Sequence, residues 1–240
     1  MPSIFDLTCQ WAKDNKHSFW QKPRVSSTNE RAKDEAFQVK AFKIYLTDHQ
    51  TAGRGRNNNS WSNTSSGAQL LSTWAYTTKL APQHILPPLI GLALFNAVRE
   101  VWSPLEWSLK APNDLYLKDK KAAGLLVENI QQGDEHFVGV GLGFNVTAAP
   151  QDVGNSTYLT SKLGTGEALN SQKWFQFLDQ LQENFKQAIQ TSTTSQIPYK
   201  KREELLTALN SNPWKTEIYL EVTNQGDLVS ESQTLSWKDI

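Results

Sequence analysis

DLYLKDKKAAGLLVENIQQGDEHFVGVGLGFNV, residues 114–146, decides the fold, because two long apolar runs flank the turn-forming residues QQGDE at 131–135. Two such runs joined by a short turn that contains glycine predict a pair of antiparallel strands. Antiparallel sheets commonly bury one face beneath a layer of helices. The stretch therefore predicts an antiparallel sheet as the framework of the molecule.

Patterns on both sides of this stretch predict the remaining elements. We expect strands at 41–48, 68–79 and 106–110, helices at 85–101, 171–189 and around 200–209, and a terminal hairpin from 217–222 and 228–237. Ser171 is the expected N-cap of its helix, because a serine hydroxyl can accept a hydrogen bond from the first turn. No element is assigned to residues 1–23, which are mixed in character.

This order of elements predicts an α+β fold: a mixed, mainly antiparallel sheet with helices on one face. The chain is expected to divide into a catalytic-type domain at 1–212 and a short C-terminal β segment at 213–240. A chain of 240 residues is long enough for one sizeable core.

Composition excludes several classes of protein. Lysine plus arginine and aspartate plus glutamate both number 24, so the formal net charge is zero and a general nucleic-acid or membrane-surface binder is not expected. Cys9 is the single cysteine, which excludes an intrachain disulfide. The N-terminus has no apolar run of signal-peptide length, and residues 85–101 are interrupted by two prolines, an asparagine and an arginine. We therefore expect a cytoplasmic protein without a membrane span.

The first candidate for chemistry is Gly53-Arg54-Gly55-Arg56, inside the loop TAGRGRNNNSW at 51–61. No Gly-Lys-Ser/Thr follows it, so it is not a mononucleotide phosphate loop. Two arginines around a glycine suggest a mobile clamp for a carboxylate or a phosphate, because arginine supplies forked donors and fixed charge. The alternative is a solvated basic turn.

Two further candidates follow in the chain. Asn113 and Asp114 come after the strand-ending Pro112, where their oxygens can reach a metal or a ligand; the alternative is an ordinary turn. Lys121 precedes three small residues in an apolar strand and could project toward a pocket whose floor is left open by Gly124. The alternative for Lys121 is an exposed strand lysine.

The fourth candidate is the glycine stripe, Gly139, Gly141 and Gly143, which precedes Asn145. Glycines at alternate positions strip one face of a strand of its side chains, which destabilises the strand unless something approaches that face closely. A flat ligand or another backbone would do so, and tight packing between sheet and helix is the alternative.

Taken together and in order, these motifs resemble the catalytic domain of the biotin–protein ligase family. The resemblance is carried by Ser27-Thr28-Asn29, Gln50-Thr51-Ala52-Gly53-Arg54-Gly55-Arg56, Lys110-Ala111-Pro112-Asn113-Asp114, Lys121-Ala122-Ala123-Gly124-Leu125-Leu126-Val127-Glu128 and Gly141-Leu142-Gly143-Phe144-Asn145-Val146. It covers about residues 25–150 closely. The fold that it implies is the biotin/lipoate ligase type, which is similar to class II synthetases.

The resemblance also implies an activity and a set of site residues. The activity is the ATP-dependent conversion of biotin to biotinyl-5′-AMP, followed by transfer of biotin to a lysine of a biotin carboxyl carrier protein, as in acetyl-CoA carboxylase. Residues implied to bind biotin are Ser27, Thr28, Asn29, Gln50, Arg54, Gly55, Arg56 and Lys121. Residues implied to bind ATP, with Mg²⁺, are Arg54, Arg56, Trp61, Asn113, Asp114, Lys121 and Asn145. Lys121, Arg56 and Asp114 are implied to be catalytic, with Asp114 as a proton acceptor.

The sequence departs from the family pattern at three places. Ala111 stands where a tryptophan is usual, Asn57-Asn58-Asn59 stand where basic residues are often found, and 213–240 is shorter than the C-terminal β-barrel of many members. Only 26 residues precede Ser27, too few for the DNA-binding domain of the members that are also repressors, so no specific DNA binding is expected. Dimerisation through a sheet edge stays open.

Two other functions remain as alternatives. One is lipoate or octanoate transfer on the same type of fold, against which the Gly-Arg-Gly-Arg run and Pro-Asn-Asp argue. The other is a non-catalytic sensor of biotin or nucleotide, suggested by Ala111, the three asparagines and the short C-terminal segment.

Overall fold

The computed structural model describes residues 3–164, 169–213, 215 and 217–237. Its helices are α1 (Ile4–Asp14), α2 (Thr28–Asp34), α3 (Leu86–Val101), α4 (Ser171–Ser192) and α5 (Tyr199–Asn210). Its strands are β1 (Phe19–Val25), β2 (Phe42–Gln50), β3 (Gln69–Thr78), β4 (Trp107–Lys110), β5 (Asp114–Leu117), β6 (Lys120–Gln132), β7 (Glu135–Asn145), β8 (Tyr219–Val222), β9 (Leu228–Ser230) and β10 (Thr234–Leu235).

Seven of these strands form one sheet in the order β1-β2-β3-β7-β6-β5-β4. β1 and β2 are parallel, and the other neighbouring pairs are antiparallel. The expected hairpin at 114–146 is present as β6 and β7, which pair Gln132 with Glu135 at the turn and Ala123 with Phe144 at the far end. The first expected strand divides, because residues 114–117 form β5, a separate strand that pairs antiparallel with β6. The predicted α+β class with a mixed, mainly antiparallel sheet is confirmed.

Alternate residues of the central strands divide the sheet into two faces. Val138, Val140, Leu142 and Phe144 of β7 are buried in the main core, which α1, α3 and α4 cover. The predicted apolar stripe of α4, consisting of Trp174, Phe177, Leu178, Leu181, Phe185 and Ile189, is buried there. Burying side chains of this size contributes roughly 1.5–3 kcal/mol each, so this layer supplies much of the stability.

The N-cap of α4 is one residue earlier than expected. Asn170 accepts a hydrogen bond from Lys173 N through its side-chain oxygen at 2.9 Å, whereas Ser171 is already the first helical residue. Asparagine caps as well as serine does, so sequence preference alone did not separate two adjacent candidates.

The helix α3 agrees with the expected helix at 85–101. It begins with prolines in its first turn, where a missing N–H costs no hydrogen bond, and it packs between the sheet and α4. In the described ranges, no helix has both the length and the apolar character needed to cross a membrane.

The opposite face of the sheet carries α2, which the sequence did not predict. This helix and the short turn at 36–38 pack on Tyr45, Ala75 and Phe137 in a second, smaller cluster. Helices therefore cover one face extensively, as expected, and the other face only beneath α2 and the turn at 36–38. The uncovered remainder of that face is where the cavity described below lies.

The C-terminal segment forms a three-stranded antiparallel sheet, β10-β9-β8, where a hairpin was expected. Val222, Leu228 and Trp237 belong to the main core, and His84 Nε2 lies 3.0 Å from Asp227 Oδ1. Of the predicted segment 213–240, residues 214, 216 and 238–240 lie outside the described part. The small sheet packs directly on the rest of the chain at this contact.

Gly226 tests that packing. Its φ is +94°, and a Cβ there would lie 2.7 Å from Cβ of Ile85. We expect Gly226→Ala to lower the free energy of unfolding by about 2–4 kcal/mol, from left-handed backbone strain plus overpacking. Urea unfolding would measure the change.

The matched control is Gly133→Ala in the β6–β7 turn. Gly133 has φ +57°, but a Cβ there would meet nothing within 4 Å. Gly133→Ala should lower the free energy of unfolding by the backbone strain alone, about 1 kcal/mol. Equal losses in the two variants would show that the small sheet is not packed on Ile85.

Candidate active site

A cavity of about 320 Å³ opens between the start of α2, the loop at 51–61 and the strands β5 to β7. All but one of the residues implied by the sequence line it, and the exception is Asn145. Its lining comprises Ser27, Thr28, Asn29, Gln50, Arg54, Gly55, Arg56, Asn59, Ser60, Trp61, Ser72, Lys110, Ala111, Pro112, Asn113, Asp114, Lys121, Gly124, Leu125, Leu126, Gly141, Leu142 and Gly143. Motifs separated by up to a hundred residues are thus brought to one place.

The parallel pairing of β1 and β2 brings the first two motifs together. The register pairs Val25 with Gln50, so the carboxyl ends of both strands lie side by side. Thr28 begins the helix that follows β1, and it donates to Gln50 Oε1 from its backbone N at 2.8 Å and from its hydroxyl at 3.2 Å. Gln50 is in turn held by Asn63, whose Oδ1 accepts from Gln50 N at 3.0 Å.

Asn29 is fixed by a buried network that the sequence did not indicate. The hydroxyl of Thr73 on β3 donates to Asn29 Oδ1 and lies 2.9 Å from the hydroxyl of Thr28. Asn29 Nδ2 donates to Glu128 Oε2 at 2.8 Å. Glu128 ends one of the quoted motifs, which is a signal that could have found it. Thr73 carries no such signal, because it lies outside the motifs and is one of several polar residues in β3.

The glycine stripe makes room for two site residues. A Cβ on Gly141 would overlap the side-chain amide of Asn29, and a Cβ on Gly143 would overlap the indole ring of Trp61. In the structure, a helix side chain and a loop side chain approach this face. Alanine at either position would push one of these side chains out of place.

The loop at 51–61 folds back on itself as a small hairpin. Gly55 N donates to Asn59 O at 2.7 Å, and Trp61 N donates to Gly53 O at 2.9 Å. Arg54 lines the cavity, but its guanidinium is paired with Glu30 and with Glu128, the latter at 2.9 Å. Arg54 is thus paired with two carboxylates, while its side chain remains 43% exposed.

Lys121 lies where two cavities meet. Its Nζ is 2.8 Å from Asp114 Oδ1 and 5.9 Å from the centroid of the Trp61 ring. A second cavity of about 110 Å³ shares Ser60, Trp61 and Lys121 with the first and also reaches Asn145. Lys121 is half-buried and lines the cavity, so the alternative of an exposed strand lysine does not hold.

The two asparagines of the motifs use their amides within the protein. Asn113 Nδ2 donates to Leu125 O across β5 and β6. Asn145 Oδ1 accepts from Gln69 Nε2 at 2.8 Å, and its Nδ2 donates to Thr157 O at 3.0 Å. These bonds hold the cavity walls together.

Two more features concern what the cavity can bind. The indole Nε1 of Trp61 is buried and, within the described ranges, has no hydrogen-bond partner. An unpartnered buried donor costs about 1–3 kcal/mol, so a polar ligand atom that accepted from it would bind favourably. Ala111, which stands where the family usually has tryptophan, forms part of the wall.

Charge around Glu128 is balanced within the site. Burial alone would raise the pKa of Glu128, but hydrogen bonds from Asn29 and Lys33 and the charges of Lys33 and Arg54 lower it below its ordinary value. Burial alone would lower the pKa of Lys33, but hydrogen bonds to Glu30 and Glu128 raise it above its ordinary value. Both groups are therefore held in their charged forms at neutral pH.

Residues 22–145 match the model of the Biotin/lipoate A/B protein ligase family. The chain belongs to this family. The matched range runs from β1 to the end of β7 and therefore contains nearly every residue of the main cavity.

Two family members illustrate the likeness in sequence. The biotin–[acetyl-CoA-carboxylase] ligase of Mycobacterium tuberculosis is 36% identical over 114 residues, which are 46% of this chain and 41% of that protein. The biotin–[acetyl-CoA-carboxylase] ligase of Paracoccus denitrificans is 30% identical over 167 residues, 65% of this chain and 67% of that protein. The chain thus spans less than half of the first relative.

The family fold is also seen in solved structures. The biotin protein ligase of Aquifex aeolicus, solved in complex with biotin and ATP, superposes with a TM-score of 0.65 at 23% identity. The superposition covers 91% of this chain and 95% of that one. It supports the fold described above.

The lowered pKa of Glu128 gives a prediction about pH. The stabilisation from its charge is fully present above the ordinary pKa of 4.5 and is lost as the pH falls through the lower pKa of the folded state. The difference in free energy of unfolding between the native chain and Glu128→Gln should therefore be constant from pH 7 to about 5 and shrink below 4.5. Urea unfolding at several pH values would check this, and a difference that widens on acidification would contradict it.

Proposed function

We propose that this chain is a biotin–protein ligase. It would activate biotin with ATP to biotinyl-5′-AMP and transfer biotin to one lysine of a biotin carboxyl carrier protein. The observation that carries the proposal is the position of Lys121 at the junction of two cavities, because the reaction must bring a carboxylate and a phosphate, both anionic, to one cation. The names of the Mycobacterium and Paracoccus relatives support biotin as the substrate and acetyl-CoA carboxylase as the source of the acceptor.

The larger cavity suits biotin. The ureido ring of biotin offers two N–H donors and one carbonyl acceptor, and Ser27, Thr28, Asn29 and Gln50 supply polar groups at that end of the cavity. Apolar atoms of the wall between Leu125 and Leu142 suit the sulfur-containing ring and the acyl chain. The cavity therefore offers both fixed polar groups and apolar surface, which are the two components of a small-molecule site.

The smaller cavity suits the nucleotide. Trp61 supplies an aromatic surface and an unpartnered N–H, and Asn145 lies at the far end of the cavity. Among the described residues, no group of three or more acidic, histidine or cysteine side chains is placed so that it could hold a metal ion. Mg²⁺ would therefore arrive with ATP, and it fits this site because Mg²⁺ needs one or two carboxylates beside the phosphates and waters. Asp114 supplies such a carboxylate, with Asn113 beside it.

In the first step a carboxylate oxygen of biotin attacks the α-phosphorus of ATP. The bond from that phosphorus to the β-phosphate oxygen breaks, and pyrophosphate leaves. Negative charge builds on the phosphate oxygens, and positioned cations that offset it usually provide the largest part of the catalysis. Lys121 and Arg56, which both line the cavity, are the residues assigned to this role.

In the second step the neutral amine of the acceptor lysine attacks the carbonyl carbon of the adenylate. The carbon–oxygen bond to AMP breaks, and the amine loses a proton. Asp114 is the candidate proton acceptor, because Lys121 binds its carboxylate and would exchange it for substrate oxygens. The loop at 51–61 would exclude water, which otherwise hydrolyses the adenylate.

The test of the proposed function is a mass measurement. Incubation with biotin, Mg²⁺-ATP and a biotin carboxyl carrier domain should add one biotinyl group to that domain. Parallel reactions with lipoate and with octanoate, each with a lipoyl domain, test the alternative. An acceptor modified only by those acids, or binding of biotin without modification of any acceptor, would contradict the proposal.

Lys121→Ala tests whether this lysine has a specific role in the reaction or only adds positive charge to the site. Pyrophosphate release with biotin and ATP should fall at least about a hundredfold, the scale of removing one donor to a transition state. The matched control is Lys120→Ala, because Lys120 is the preceding residue, is exposed and does not line the cavity. A similar rate in both variants would remove Lys121 from the mechanism.

A further inference from the structure

The carboxylate of Glu128 joins three parts of the site. Its Oε2 accepts from Asn29 Nδ2 at 2.8 Å, and its Oε1 accepts from Lys33 Nζ at 3.1 Å and from Arg54 Nη2 at 2.9 Å. Asn29 and Lys33 belong to α2, Arg54 belongs to the loop at 51–61, and Glu128 itself belongs to β6. One strand residue thus connects the helix that supplies the polar end of the cavity with the loop that covers it.

Glu30 completes this cluster, which we call the clasp: Glu30, Lys33, Arg54 and Glu128. Lys33 Nζ lies 2.7 Å from Glu30 Oε1, and Arg54 also pairs with Glu30. Each cation therefore contacts both carboxylates. A closed network of this kind is worth more than an isolated surface ion pair, which contributes little.

The clasp acts on the loop beyond its base, which is held separately. At the base, Thr51 N donates to Val25 O at 2.9 Å and Ala52 N donates to Ser26 O at 2.8 Å. Beyond the base, the bridge between Arg54 and Ser60 lies within the loop itself and does not join the loop to the sheet. The ion pairs of Arg54 join this part of the loop directly to β6 and α2.

We propose that Glu128 is a positioning residue that holds the loop closed over the cavity through Arg54 and at the same time orients Asn29. It acts on the ligands through these two residues. The structural part of this inference depends only on the contacts above, and its consequence for catalysis rests on the proposed function. Arg54 is then the anchor of the loop.

Hydrogen exchange followed by mass spectrometry tests the structural part. In Glu128→Gln, backbone amides of the peptide that spans 51–61 should exchange about tenfold faster, since hydrogen bonds between charged groups contribute about 1.5–3 kcal/mol. Arg54→Gln removes the clasp from the other side at a half-exposed residue and should give the same increase. Arg54→Gln still tests the contact between the loop and Glu128 if Glu128→Gln fails to fold.

Glu35→Gln is the matched control. Glu35 follows α2, is similarly buried, and accepts from Lys43 Nζ at 2.7 Å and from Tyr45 at 2.9 Å, but it has no contact with the loop. Its substitution should leave exchange of 51–61 unchanged. Exchange within twofold of the native chain in both Glu128→Gln and Arg54→Gln would overturn the proposal, and so would an equal increase in Glu35→Gln.

The catalytic consequence is measured separately. Glu128→Gln should release a several-fold larger share of its adenylate into solution while pyrophosphate release at saturating biotin and ATP changes little, and Glu128→Asp should restore most of the retention. A loss of pyrophosphate release with no change in retention would overturn the positioning role. If the native chain forms no adenylate while exchange responds as predicted, the proposed function fails and the clasp stands. If adenylate forms and hydrogen exchange does not respond, the positioning role of Glu128 is overturned and the proposed function is retained.

Discussion

The site depends on the parallel pairing of β1 with β2. Because Val25 lies beside Gln50, the segments that leave both strands start from the same edge of the sheet. One segment becomes α2 and the other becomes the loop at 51–61, and Thr28 and Gln50 are hydrogen-bonded at their origin. An antiparallel pairing would have placed the two motifs at opposite ends of the sheet, as happens with the antiparallel neighbours in the rest of this sheet.

The glycine stripe of β7 supplies the second constraint, and it links fold to site. Gly141 and Gly143 lie in the half of the β6–β7 hairpin that is far from its turn, where side chains would normally stabilise the sheet. The absence of side chains at these two positions lets Asn29 and Trp61 lie directly on the backbone. The strand gives up side-chain packing on that face, while its other face remains fully packed in the main core.

Sequence patterns predicted the elements that are long and periodic, namely the β6–β7 hairpin, α3 and α4. They missed α1, which lies in the unassigned residues 1–23. They also missed β1, which contains Pro23 and mostly exposed residues, and α2, which has only seven residues. Ordered motifs predicted most of the cavity, since each contains its own local signal. Thr73 and Glu30 were missed because their roles come from contacts between distant segments, such as that of Thr73 with Asn29, which leave no trace in local sequence.

The two ion pairs of the site differ in what a ligand can do to them. Arg54 is held by two carboxylates in a network that also contains Lys33, so an incoming anion would have to displace several charged hydrogen bonds. Lys121 is held by Asp114 alone among the charged contacts described for it, and it borders both cavities. An anion that binds the ammonium of Lys121 in place of Asp114 releases the carboxylate of Asp114. In the proposed reaction, substrate binding therefore frees the group needed for the later proton transfer, while the loop stays anchored.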